Sequence, residues 1–168
     1  MPKFWKKIER KAHLALHRES LETDEYFAFE YRNCNGLKGL LMHLPSGGRL
    51  YYPNARLENT NRFGRDQLTM CYETLGAGNQ WMTADTWGGK LTENLDQALA
   101  REILAHSLVN VSEARLPIVL HVHDEIVTLE KENEANCDRL VQLMCDLPSW
   151  AKGWPIRAEG WIGKRYRK

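Results

Sequence analysis

The chain has 168 residues, of which 43% are hydrophobic, and its 23 Lys and Arg against 22 Asp and Glu leave a formal net charge of +1. That length and apolar content are enough for one packed domain, and large aromatics interleaved with charges of both signs exclude a disordered chain. The small net charge neither demands nor excludes a nucleic-acid partner, so any electrostatic footprint has to come from local clusters.

In chain order, Phe4, Trp5, Ile8, Ala12, Ala15 and Leu16 recur at helical spacing, and Pro2 suits a first turn, which predicts an amphipathic helix from Pro2 to about Arg18. A helix beginning so abruptly leads us to expect a piece of something larger. Short strands and hairpins are expected over Glu25–Arg32, Gly39–Leu44, Leu50–Tyr52, Gln67–Leu75 and Trp81–Trp87. These carry aromatic or β-branched residues and are punctuated by Asn35-Gly36, Ser46-Gly47-Gly48 and Gly76-Ala77-Gly78-Asn79. Leu95, Leu99, Ile103 and Ser107, stacked four apart, predict a long helix from Leu91 to about Val111. Two apolar runs, Ile118–Val122 and Ile126–Leu129, predict a β-hairpin with His123, Asp124 and Glu125 at its tip. A helix from about Asn133 to Leu147 and a short strand near Ile156 to Trp161 complete an expected single α+β domain over residues 1–168. No repeat, linker or low-complexity segment interrupts it.

Two basic clusters stand at the ends: Lys3, Lys6, Lys7, Arg10 and Lys11, then Lys164, Arg165, Arg167 and Lys168. Each alone reads as a solvated helix face or tail as readily as a binding surface. Cys34, Cys71, Cys137 and Cys145 lack zinc-knuckle spacing, and no secretory signal precedes them, which fits reduced thiols in a cytoplasmic setting. No apolar run approaches the roughly 20 residues needed to cross a bilayer, so no membrane partner is expected.

Adjacent carboxylates at a tight turn repel, and each raises the other's proton affinity, so a cation is expected beside Asp124 and Glu125. Hard oxygen ligands suit Mg²⁺, which takes one or two protein carboxylates and completes its shell with water and substrate phosphates. The plain alternative is a pair of solvated turn residues. Lys90, Asn94, Gln97 and Arg101 lie four, three and four apart, which places them on one helix face. Amide and cationic groups there suit phosphates and minor-groove acceptors without reading much sequence. A solvated polar stripe is the alternative.

The stretch His121-Val122-His123-Asp124-Glu125-Ile126-Val127 resembles the motif of family A DNA polymerases in which a His-Asp-Glu triplet tips a palm hairpin. Leu44-Pro45-Ser46-Gly47-Gly48-Arg49-Leu50, Thr86-Trp87-Gly88-Gly89-Lys90-Leu91-Thr92-Glu93-Asn94, Gln97-Ala98-Leu99-Ala100-Arg101, Glu159-Gly160-Trp161 and Arg165-Tyr166 resemble the same family in matching order, especially its phage members. The resemblance spans nearly the whole chain. It implies an α+β fold with an antiparallel palm-type sheet, a catalytic β-hairpin packed by helices, and a partial polymerase palm.

The activity implied is DNA-directed nucleotidyl transfer in replication, in the cytoplasm of a bacterial or phage-infected cell, with primer–template DNA and dNTPs as substrates. Asp124 would ligate catalytic Mg²⁺, Glu125 would assist metal or water positioning, and His123 would contact the primer end. Gln97 would reach the minor groove. Arg49 fits a nucleic-acid backbone contact or a bare hairpin arginine equally. His121 shares the face of His123 by strand alternation, but the family pattern gives it no metal, and it reads as a hydrogen-bonded core or near-site residue.

The family's fingers helix and its earlier metal-binding aspartate have no counterpart in this chain, which resembles a start where the fingers end. Two-metal transfer needs both ions held roughly 3.5–4 Å apart by shared ligands, which one hairpin cannot do alone. The expectation is therefore one half of a split polymerase, inactive by itself and completed by a second chain that supplies the fingers and the other aspartate. The alternative is a silent palm remnant that binds duplex DNA or a replication partner. A metal hydrolase built on His121-x-His123 lacks ligands, since no His follows Asp124. A purely structural protein is a further alternative. Phe4, Trp5 and the run Tyr26, Phe27, Phe29, Tyr31 are expected to form the partner surface, because exposed aromatics would otherwise aggregate.

Overall fold

The apolar spacing at the N-terminus forms the helix it predicts, α1 (Lys3–Arg18), in which Ile8, Ala12 and Ala15 are fully buried. Glu19 ends it in the left-handed region and donates its backbone N–H to the Ala15 carbonyl. The computed structural model describes residues 2–34, 36–62 and 64–166. Asn35 of the expected Asn35-Gly36 turn, and Arg167 and Lys168 of the C-terminal basic cluster, lie outside the described residues. Where the sequence reading expects one unit, the chain gathers into two compact units, Met1–Ala98 and Leu99–Lys168.

In the first unit α1 is followed by β1 (Leu21–Thr23), β2 (Ala28–Cys34), β3 (Leu37–His43) and β4 (Arg49–Pro53), which form one antiparallel sheet in that order. A second sheet holds β5 (Arg56–Arg62), β6 (Arg65–Leu75) and β7 (Trp81–Thr86), again antiparallel and in sequence order. β1 and β5 are absent from the sequence reading. β5 is polar through Glu58, Asn59, Thr60 and Asn61, and no apolar alternation marks it. It exists because it pairs along its whole length with β6, from Arg56 opposite Cys71 to Arg62 opposite Arg65.

The core of this unit lies between α1 and the first sheet. Phe29, Leu40 and Met42 are fully buried and Phe27 nearly so; Phe27 meets Phe4 edge-on at 6.0 Å and Phe29 at 5.5 Å. Burying one such side chain contributes roughly 1.5–3 kcal/mol. This corrects the expected aromatic partner surface at Phe27 and Phe29, while Tyr26 is exposed. Phe27 and Phe29 are core residues, and Trp5 packs edge-on against Trp87 at 5.1 Å. Gly88 sits so close to the Trp5 carbonyl that any side chain would collide with backbone, so the glycine lets the chain enter α2 (Gly88–Glu113) beside α1.

Helix α2 runs on into the second unit, where β8 (Ile118–Val122), β9 (Glu125–Thr128), α3 (Cys137–Cys145) and a 3₁₀ turn (Ser149–Ala151) follow. Val111, Leu116 and Ile126 form its small core, with Leu104, Leu108, Ile118, Leu140, Leu143 and Met144 packed around them. α3 is shorter than expected. Asn136 caps it by accepting the Arg139 N–H at 3.0 Å, which sets its start beyond Asn133. The strand expected near Ile156 to Trp161 is instead irregular chain. Gly160 passes so close to Cys137 and Val141 that a Cβ would collide with both, which seats the tail on α3 rather than beside a strand.

The fold is α+β with antiparallel sheets, and among the described residues it has three α-helices. Among the described residues no helix is long and apolar enough to cross a membrane.

Candidate functional site

β8 and β9 pair antiparallel as a two-stranded sheet, with Val122 opposite Glu125, so the turn is only His123 and Asp124. Glu125 is thus the first paired residue of β9 rather than part of the tip. Strand alternation explains the rest: Ile126 turns into the core, and Glu125 before it turns out to solvent. At the open end of the hairpin the Leu129 N–H donates to the Pro117 carbonyl at 3.0 Å. Helix packing steadies the hairpin from below. Ser107 donates its hydroxyl to the Ile103 and Met144 carbonyls, and the Asn110 amide donates to those of Leu143 and Asp146, which ties the end of α3 to α2.

His123 adopts φ 52°, the left-handed region. A residue with a Cβ is strained there by about 1–2 kcal/mol, and such strain gathers at functional sites. Asp124 and Glu125 are both exposed. Asp124 has no hydrogen bond or ion pair among the described residues, while Glu125 accepts the Tyr166 hydroxyl through Oε2 at 2.7 Å. That bond, with burial adding to it, raises the Tyr166 pKa, because the phenol proton is shared with a carboxylate. The sequence reading gives Tyr166 no role; its only signal is the family-like Arg165-Tyr166 pair.

His121 departs from expectation. It is exposed and its ring makes no hydrogen bond among the described residues, because β8 is covered on too little of its surface to bury it: Val119 and Leu120 are also 57% and 41% exposed. The apolar run that predicts a buried strand therefore leaves two large side chains in solvent.

The two carboxylates offer hard oxygen donors within one turn. Among the described residues no group of three or more His, Cys, Asp or Glu side chains converges as a complete metal site. The hairpin can supply one or two oxygen ligands, and the rest of a coordination shell would have to come from water, substrate or another part of the protein.

On α2 the stripe of Lys90, Asn94, Gln97 and Arg101 is helical as expected, but it contains an acid. Lys90 pairs with Glu93 at 3.0 Å, and the Gln97 amide donates to the same carboxylate at 3.3 Å. Asn94 is half-buried and donates to the Tyr52 hydroxyl at 3.1 Å, so its amide is used inside the first unit. Burial pushes the Tyr52 pKa up to about 12, against the lowering pull of that bond. Lys90, Gln97 and Arg101 are exposed; Arg101 has no ion pair among the described residues. Arg49 opens β4 opposite His43 and is exposed as well.

Over 167 residues the chain is 37% identical to the DNA polymerase of Bacillus phage SP02, an alignment that takes in 99% of this chain and 25% of that protein. No family model matches the chain, and no solved structure matches it. The chain is thus similar from end to end to one segment of a phage DNA polymerase, and it spans about a quarter of that relative's length.

Proposed function

We propose that the chain is the C-terminal palm piece of a DNA-directed DNA polymerase of family A, one half of a split enzyme whose fingers and other catalytic aspartate come from a second chain. The observation that carries this reading is the end-to-end similarity to a quarter of the phage SP02 DNA polymerase. The hairpin adds chemistry to it, since Asp124 in the turn and Glu125 at the start of β9 are exposed carboxylates beside a packed core.

In this reading Asp124 and Glu125 would hold Mg²⁺, and the donor set fits: one or two carboxylates suffice for that ion, with substrate phosphates and water filling the shell. Bound there, the metal supplies charge stabilisation to a transferring phosphoryl group. The chain's own residues do the positioning. Tyr166 fixes one Glu125 oxygen and leaves the other carboxylate oxygen to a ligand. In the same reading the His123 ring would contact the primer end, and Gln97 and Arg101 would meet the primer–template duplex from α2. Asn94 supports α2 through Tyr52 rather than touching DNA.

The test combines the 168-residue chain with the remainder of the phage SP02 polymerase, truncated where the similarity begins, and measures primer extension with Mg²⁺ and all four dNTPs. Neither part should extend a primer alone, and the mixture should. Robust extension by the 168-residue chain alone overturns the split reading. Duplex binding without extension in the mixture favours a silent remnant instead.

A further inference from the structure

Helix α1 carries its cations on two faces that are treated differently. Facing β1 and the β1–β2 connection, Lys7 pairs with Asp24 at 2.8 Å, Lys11 with Glu22 at 3.4 Å and Arg18 with Glu22 at 3.8 Å. Lys6 and Arg10, one turn apart on another face, are exposed and have no ion pair among the described residues. They stand on the rim of an open groove of about 450 Å³ between α1 and the β5–β6 hairpin. Leu14, Leu57 and Leu68 form its apolar floor. Strand register explains the floor: Leu57 lies opposite Met70, and Leu68 is two residues away, so both leucines share one face of the hairpin. Leu68 is 49% exposed, so half its surface stays in water.

His13 lines the groove wall, and its Nε2 is buried with no hydrogen-bond partner among the described residues. Burial pushes its pKa below the usual histidine range, against the opposing pull of Glu9. The fixed positive charge of the rim rests on Lys6 and Arg10.

We propose that this groove is a docking site for an acidic amphipathic peptide segment of a partner protein. An aliphatic side chain of the segment enters between Leu14, Leu57 and Leu68, and carboxylates on either side of it meet Lys6 and Arg10. Charge complementarity selects the partner: in-fold acids pair with Lys7, Lys11 and Arg18, whereas Lys6 and Arg10, on the groove rim, are left for an acid from outside. The floor selects the chemistry of the anchor. Single-stranded nucleic acid binds through stacking on aromatic platforms, and this groove offers an aliphatic floor instead; Glu9 on the lining repels any anion alike and does not decide between them. The inference does not depend on the polymerase reading.

The experiment titrates the 168-residue chain by fluorescence anisotropy with three labelled probes. These are a helical peptide with Leu on one face and Glu beside it, its Gln-for-Glu counterpart, and oligothymidylate. The Glu peptide should bind at least about tenfold tighter than the Gln peptide, the size of one charge-assisted contact. The K6E/R10E chain should lose about tenfold or more in affinity for it. Leu68→Asn should weaken both peptides alike. These positions are exposed or half-exposed, so thermal melts should show each variant folded. Methyl shifts of Leu14, Leu57 and Leu68 in the unaltered chain report the same site should Leu68→Asn fail to fold. Equal affinity for the two peptides, full binding by K6E/R10E, no binding of either peptide, or displacement of the Glu peptide by oligothymidylate would each overturn the proposal.

Discussion

Two tight connections handle the same backbone demand in opposite ways. Between β3 and β4 the chain reverses through Leu44–Gly48. Gly47 takes φ 88° there, its N–H donates to the Leu44 carbonyl at 3.0 Å, and Ser46 accepts the Gly48 N–H through its hydroxyl at 3.2 Å. Glycine reaches that conformation freely, and the turn is satisfied and unstrained. Between β8 and β9 the left-handed position falls to His123, which has a side chain to pay for. A glycine there would fold more easily. Glu19, Asn54, Asn79 and Arg115 take the same conformation, so the strain alone marks no site; what sets His123 apart is an imidazole next to two exposed carboxylates.

The largest expected effect breaks the contrast on the chemical side. In the reconstituted enzyme Asp124→Asn should lower the rate of primer extension by orders of magnitude while duplex binding survives, since the change removes the charge and keeps the shape. In the 168-residue chain alone it should leave the melting temperature unchanged or slightly higher, because it relieves repulsion from Glu125. Unfolding by Asp124→Asn would make Asp124 a structural turn residue.

Exchanging the two turn residues sharpens the contrast. Gly47→Ala meets no neighbouring atom, so its cost is backbone strain alone, and denaturant titration should show a loss of about 1–2 kcal/mol. His123→Gly should change stability by less than about 1 kcal/mol, in the stabilising direction, because relief of strain is partly offset by a freer unfolded chain. It should also slow the reconstituted enzyme. A marked loss of stability from His123→Gly would mean that the ring packs, and the contrast would fail.

The smallest effect concerns a carboxylate of the other kind. Burial would raise the Asp24 pKa, but the Lys7 ammonium and the backbone N–H groups of Glu25 and Tyr26 outweigh it and hold the carboxyl below its ordinary value of 3.8. A depressed folded pKa contributes stability above the unfolded value that is lost as pH falls through the folded one. Lys7 is 42% exposed and screened by water, so the contribution stays within about 1 kcal/mol. Thermal melts of Asp24→Asn should depend less steeply on acid pH than those of the unaltered chain. Identical slopes would show that the pair contributes nothing.

The sequence by itself determined the elements whose signals are local. The period of Ile8, Ala12 and Ala15 marks α1, the stack of Leu95, Leu99 and Ile103 marks α2, and two apolar runs around three polar residues mark the β8–β9 hairpin and the place of Asp124. Tertiary structure decided whatever depends on a distant partner. β5 is polar and became a strand only because β6 runs beside it. Phe27 and Phe29 carry the same aromatic signal whether they face a partner or a core, and α1 settled that they face the core. Val119, Leu120 and His121 read as a buried strand, yet a two-stranded sheet leaves much of its surface in water. The tail reached Glu125 through Tyr166 because Gly160 could pass close to α3, a fit between residues far apart in the chain that no periodicity records.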